Sequence, residues 1–190
     1  MAYRFTDICS FIHRWRQSYG FGIQSPSLYY YIKYVLNEQS PFYSYDDLSI
    51  SSPSLNNHSI NILRLYFRLA NYHQPLVWLD MCKGDETVCK YVQSGCHHTS
   101  YISISDINDV SQVNVARMIN DDKVQFEVLM DKITINSILI VNNIRKDSRM
   151  RAFWNDIISD ERTGISIDIF SLGIVFFDKR HKQNYKIFLR

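Results

Sequence analysis

Apolar residues at Phe5, Ile8, Phe11, Ile12, Trp15 and Tyr19 recur at helical spacing and predict an amphipathic helix over residues 3–19. Gly20-Phe21-Gly22 breaks it. Ser25-Pro26 then carries a start signal, a hydroxyl cap followed by proline at the first helical position. A second helix is predicted from Pro26 to Leu36, with Leu28, Tyr29, Ile32, Val35 and Leu36 on one side. Residues 37–58 are rich in Ser, Asn, Asp and Pro and predict a loop or linker. A third helix follows over 59–73, with Ile60, Leu63, Phe67 and Leu69 near helical spacing, and Pro75 stops it.

From Pro75 the rhythm changes to short apolar runs alternating with helical stretches. Strands are predicted at Leu76–Leu79, Tyr101–Ile104 and Val124–Met130, and helices at 85–93 and 108–119. Ser137–Val141 (SILIV) is the strongest strand signal, a continuous apolar run of the kind a parallel strand covered on both faces requires. Arg149–Ile158 returns to helix, with Phe153, Trp154, Ile157 and Ile158 on its apolar side. This alternation predicts an α/β fold with a mostly parallel, doubly wound sheet. Ile165–Phe170, the turn Ser171–Gly173 and Ile174–Phe177 predict a C-terminal antiparallel hairpin, and Asn184–Leu189 one further edge strand. The chain thus divides into an N-terminal helical segment and linker (1–74) and an α/β domain (75–190).

Composition narrows the function classes. With 46% hydrophobic and 21% charged residues over 190 positions, the chain can bury a core and is not of a disordered class. A formal charge of +2 supplies no general field for nucleic acid or an anionic membrane, and neither is expected as a partner. The charged N-terminus MAYRFTDICSFIHRWRQ lacks the apolar run of a signal peptide, so a cytoplasmic protein with reduced thiols is expected.

The segment GFGIQSPSLYYYIKYVLNEQSPFYSYDDL resembles the N-terminal helical part of a bacterial family of class I S-adenosylmethionine-dependent methyltransferases. RLYFRLANYHQP is similar to that family's helix leading into its first strand. VNNIRKDSRMRAFWNDI with ISIDIFSLGIVFFDKRHKQNYKIFLR resembles its last strand, helix and hairpin. The likeness covers roughly three-quarters of the chain and implies a Rossmann-like methyltransferase sheet with S-adenosylmethionine as cofactor. A parallel sheet finished by an antiparallel hairpin agrees with that fold.

The departures from the family pattern fall on the site. After the first strand the family carries an acid followed by two spaced glycines, which let the backbone approach the cofactor. Here the run is Asp80-Met81-Cys82-Lys83-Gly84, in which Asp80 stands for the acid or for the first glycine and only Gly84 remains. Asp106, near the end of the second strand, is the candidate carboxylate for the cofactor's ribose. Asn142-Asn143 occupies the place of an acidic pair after the SILIV strand. Relatives insert a strand ending in Asp-Gly and a helix before that strand. FEVLMDKITINS leaves no room for the helix, so a missing crossover is expected, with Asp131 as the remnant acid. The resemblance therefore implies Asp80, Met81, Gly84 and Asp106 on the cofactor side and Asp131, Asn142 and Asn143 on the substrate side.

Each residue also has a bland reading. Gly84 can be a plain turn, and the asparagines can cap a helix. Cys82, Cys89 and Cys96 recur every seven residues before His97-His98, but lack the short spacing that gathers thiolates on one zinc; no metal site is expected. Nothing in the sequence places a base beside any of these thiols, and no general base can be named. Two of the three rings in Tyr29-Tyr30-Tyr31 must leave any single helix face, as at a homodimer or protein-partner surface. Two functions remain: a degenerate, non-catalytic binding or assembly protein, or a methyltransferase acting on an unknown small acceptor.

Overall fold

A computed structural model describes residues 5–40, 42–50, 55–82, 84–178 and 181–189, with the side chains of residues 5–10, 49, 50 and 106 set aside. Helix α1 spans Phe5–Ser18. Helix α2 (Pro26–Tyr31) starts where the sequence signal stands. Ser25 Oγ accepts the Leu28 N–H at 3.3 Å, Pro26 sits in the first turn, and the helix runs on into a π-helical turn over Ile32–Leu36. The expected linker contains a helix, α3 (Ser44–Ile50), which buries Tyr45 and Leu48. Seven residues are too few to hold a helix by propensity, so packing sustains it and periodicity could not reveal it. Helix α4 (Asn57–His73) is capped by Asn56 and ends at Gln74 in a left-handed conformation, one residue before Pro75.

Strand β1 (Val77–Asp80), helix α5 (Glu86–Gly95) and strand β2 (Ser100–Ser103) follow as predicted. The next two elements reverse the sequence expectation. The region expected as helix holds a 3-10 turn (Ile104–Asp109) and strand β3 (Val113–Met118), and Val124–Met130 lies in helix α6 (Lys123–Met130). Polar residues interrupt the apolar run of β3 and disguise it. Asn114 accepts the Val77 N–H at 2.8 Å, and Arg117 pairs with Asp80, so both engage the neighbouring strand. Helix α6 is capped by Asp122, whose Oδ1 accepts the Gln125 N–H at 3.0 Å. It is itself the crossover into β4 (Ile133–Asn142), so the expected loss of a crossover at 120–137 is corrected. The shortened connection lies between β2 and β3 instead, where the 3-10 turn carries the chain back past β1.

Helix α7 (Ser148–Ser159) and strands β5 (Ser166–Asp168), β6 (Leu172–Phe176) and β7 (Asn184–Lys186) complete one seven-stranded sheet, ordered β2-β1-β3-β4-β6-β5-β7. The β2-β1-β3-β4 part is parallel; β6 runs antiparallel between β4 and β5, and β7 adds in parallel to β5. The fold is thus α/β, mostly parallel with a C-terminal antiparallel hairpin. Alternation along the strands separates two cores. Trp78, Val115, Ile138, Ile140 and Ile174 pack under α2, α4 and α5, so the helical segment and the sheet share one core. Leu79, Ala116, Leu139, Val141 and Val175 pack under α6 and α7. Among the described residues no helix is long and apolar enough to cross a membrane.

Candidate functional site at the carboxyl edge of the sheet

Strands β1, β2, β3 and β4 end side by side, and there the helix-bundle face of the sheet becomes polar. Asp80, the last residue of β1, is the register partner of Arg117 on β3, and its side chain has no exposure to solvent. Arg117 Nη1 donates to Asp80 Oδ2 at 2.6 Å. The Tyr101 hydroxyl, from β2, donates to the same oxygen. The Arg117 guanidinium lies 5.6 Å from the ring centroid of Tyr66 on α4, and the Tyr66 hydroxyl donates to Asn142 Oδ1 at 2.9 Å. Residues of four strands and one helix therefore meet in a single network, buried at Asp80, Arg117 and Tyr66 and half-buried at Tyr101 and Asn142.

Its electrostatics follow from burial. Burial penalises the charge on Arg117, but Tyr66 and Asp80 outweigh that penalty and raise its pKa, so it remains a cation. Burial, together with the bond to Asp80, drives the Tyr101 phenol well above its usual range. Burial likewise raises Tyr66, against the opposing effect of Arg117 and Asn142. Both phenols are neutral donors at physiological pH. Two polar atoms of the ion pair, Asp80 Oδ1 and Arg117 Nε, are buried and without a hydrogen-bond partner among the described residues.

The residues singled out from the sequence fall in different places. Asp80 and Asn142 belong to the network. Met81 points away into the opposite core and is 3% exposed. Gly84 adopts a left-handed backbone (φ +86°) with open space beside it, where an added Cβ would meet only Ser103 at 4.0 Å. Asn143 also has positive φ, and its carbonyl accepts the Lys146 N–H at 2.9 Å, a turn role. Asp131 is exposed at the end of α6, just before β4 begins, and so lies at the opposite edge of the sheet. Lys83 and the Asp106 side chain are outside the described residues. Sequence reasoning missed Arg117, Tyr66 and Tyr101. The usable signal was a single arginine inside the apolar stretch VNVARM, since a buried cation demands a carboxylate nearby.

A second juxtaposition lies at the other edge. Cys96 Sγ is 3.3 Å from His98 Nε2 and 3.4 Å from Gln74 Oε1, so the fold does set a histidine beside one thiol. Cys82, Cys89 and Cys96 are free thiols.

Asp80 is shielded and shared between Arg117 and Tyr101. Asp85 Oδ1 caps α5, accepting the N–H groups of Thr87 at 3.0 Å and Val88 at 3.2 Å. Among the described residues, then, Asp80 is closed off while Gly84 keeps an open left-handed turn beside it.

No family model matches the chain, and no curated protein matches it in sequence. Solved structures do match. The chain is similar to a putative caffeoyl-CoA O-methyltransferase from Staphylococcus aureus (TM-score 0.55, 8% identity, 80% of this chain and 100% of that one). It is similar to S-adenosylhomocysteine-bound methyltransferase PaMTH1 from Podospora anserina (TM-score 0.55, 7% identity, 82% and 97%). It also matches an O-methyltransferase from Bacillus cereus in complex with S-adenosylhomocysteine (TM-score 0.51, 10% identity, 76% and 96%). At such identities the likeness is one of fold, and the fold is that of Rossmann-like methyltransferases.

Proposed function

We propose that this protein keeps the shape of a methyltransferase but acts by contact, as a binding or assembly protein. The carrying observation is the Asp80–Arg117 pair, packed among Tyr66 and Tyr101 where an open concave site would otherwise stand. An arginine delivered by the neighbouring strand fills the place a ligand would take. The working surface is the N-terminal helical segment, which exposes an aromatic face. Tyr30 and Tyr34 pack together 4.8 Å apart, as do Trp15 and Tyr19 at 5.0 Å, and all four rings are exposed. Exposed aromatics at this density suit a homodimer or a protein partner. Light scattering on the parent and a Tyr30→Ser/Tyr34→Ser variant tests the homodimer.

The alternative is transfer of a methyl group from S-adenosylmethionine to a small acceptor. It is favoured by the left-handed Gly84 facing open space and by the cofactor-bound proteins that share the fold. Calorimetric titration with S-adenosylmethionine and S-adenosylhomocysteine separates the two. No heat at millimolar ligand is the expected result; micromolar binding of either ligand overturns the contact reading.

A further inference from the structure

Strands β5 and β7 pair in parallel and alternate in one phase. Ile167 and Tyr185 enter the core shared with the N-terminal helices. The intervening residues, Ser166 and Asp168 on β5 with their register partners Asn184 and Lys186 on β7, must then face the opposite side. A parallel pair is ordinarily apolar on both faces, so a polar face here is a departure. Helix α7 lies on that side, and residues 151, 154, 155 and 158 form one stripe along it. Between stripe and strands runs a groove of about 240 Å³.

Charge in this groove is one-sided. Arg145, Arg151 and Lys186 line it, with Asn155 and Asn184, and Asp168 is its lone carboxylate. That carboxylate is already saturated. Oδ1 accepts from Arg14 Nη1 at 3.0 Å and the Phe170 N–H at 2.8 Å; Oδ2 accepts from Arg14 Nη2 at 3.0 Å and Arg145 Nη2 at 2.5 Å. Arg151 and Lys186 are exposed and form no ion pair among the described residues. Asn184 uses its Oδ1 on the Ser166 hydroxyl at 2.7 Å, which leaves its amide as a donor. Ile144, Trp154 and Ile158 add apolar lining.

We propose that this groove binds a small phosphorylated organic molecule, its phosphoryl group on Arg145, Arg151 and Lys186 and its apolar body along Trp154. A phosphoryl group presents several strong acceptor oxygens and up to two charges, which matches convergent cations better than a single carboxylate does. Cationic side chains held beside low-dielectric walls attract such a ligand more strongly than scattered surface charges. This site is separate from the Asp80 network and involves no methyl donor.

The test is calorimetry on the full chain with phenyl phosphate, inorganic phosphate and phenol, repeated with an Arg151→Gln/Lys186→Gln variant. Both replaced side chains are exposed and form no ion pair among the described residues, so the variant should keep the parent's melting temperature. Phenyl phosphate should bind the parent, inorganic phosphate more weakly, and phenol not at all. Loss of two charge-assisted bonds should weaken phenyl phosphate binding about a hundredfold, at roughly tenfold for each. Silence with phenyl phosphate, equal binding of phenol, or an unchanged affinity in the variant would overturn the site. Inorganic phosphate binding as tightly as phenyl phosphate would overturn the organic body.

Discussion

Arg117 Nη1 stands 2.6 Å from Asp80 Oδ2 across two adjacent parallel strands, and both side chains are shut off from solvent. A pair of this kind is held by its partners rather than by a large net gain, because both charges were taken out of water. Breaking it one-sidedly exposes that cost. Arg117→Met should destabilise the fold by about 3–5 kcal/mol, since Asp80 is left buried without its cation. The double variant Asp80→Leu/Arg117→Met should lose far less. Urea unfolding of the single and double variants measures the coupling.

Arg14 ties α1 to the far edge of the sheet. Its guanidinium donates to the Asp168 carboxylate, to the Asp168 carbonyl at 2.8 Å and to the Ile187 carbonyl at 2.9 Å. Arg14→Met should loosen α1 before the rest of the fold unfolds, leaving it held there by the bonds of Gln17 and Ser18 to the Lys186 and Phe188 N–H groups. Limited proteolysis should then cut within residues 11–25, while the parent resists.

His73 gives stability a dependence on pH. Burial lowers its pKa to about 4, and the ring shares a hydrogen bond with the Tyr31 hydroxyl at 2.9 Å. A histidine depressed on folding contributes stability that is complete above the unfolded value near 6.5 and is lost as pH falls toward 4. The ring is only partly covered, so the expected loss is about 2 kcal/mol rather than the full linkage. Chemical unfolding at pH 7 and pH 4.5 should show the difference, and His73→Gln should reduce it.

Gly173 on β6 leaves room for the indole of Trp154. A Cβ there would lie 2.3 Å from Trp154 Cη2, well inside contact distance. Gly173→Ala should lower stability by about 1–3 kcal/mol through overpacking. Adding Trp154→Leu should recover part of that loss in thermal melts, because the three nearest atoms to such a Cβ all belong to this ring.

Local chemistry was legible along much of the chain. Ser25-Pro26 starts a helix because a hydroxyl cap and a fixed φ act within one turn. The apolar run SILIV reveals itself in the same way, and so does the closing hairpin, although its turn falls at residues 169–171 and Gly173, expected in the turn, lies inside β6. Helix α6 and strand β3 were exchanged because a short run such as VQFEVLM fits either period, and VNVARM carries two polar residues inside a buried strand. The terminal carboxylate Asp80 could be located from the strand that carries it. Its neighbours Arg117, Tyr101 and Tyr66 could not, since they come from three other elements.

By itself the sequence determined the α/β class, the N-terminal helices, the parallel core strand and the closing hairpin, because periodicity and capping act over a few residues. Only the tertiary structure decided that Asp80 is buried against Arg117, and that four cations gather around Asp168. Those outcomes depend on strand order and register. They bring together residues 37 and 154 positions apart, a separation at which no local pattern in the chain carries information.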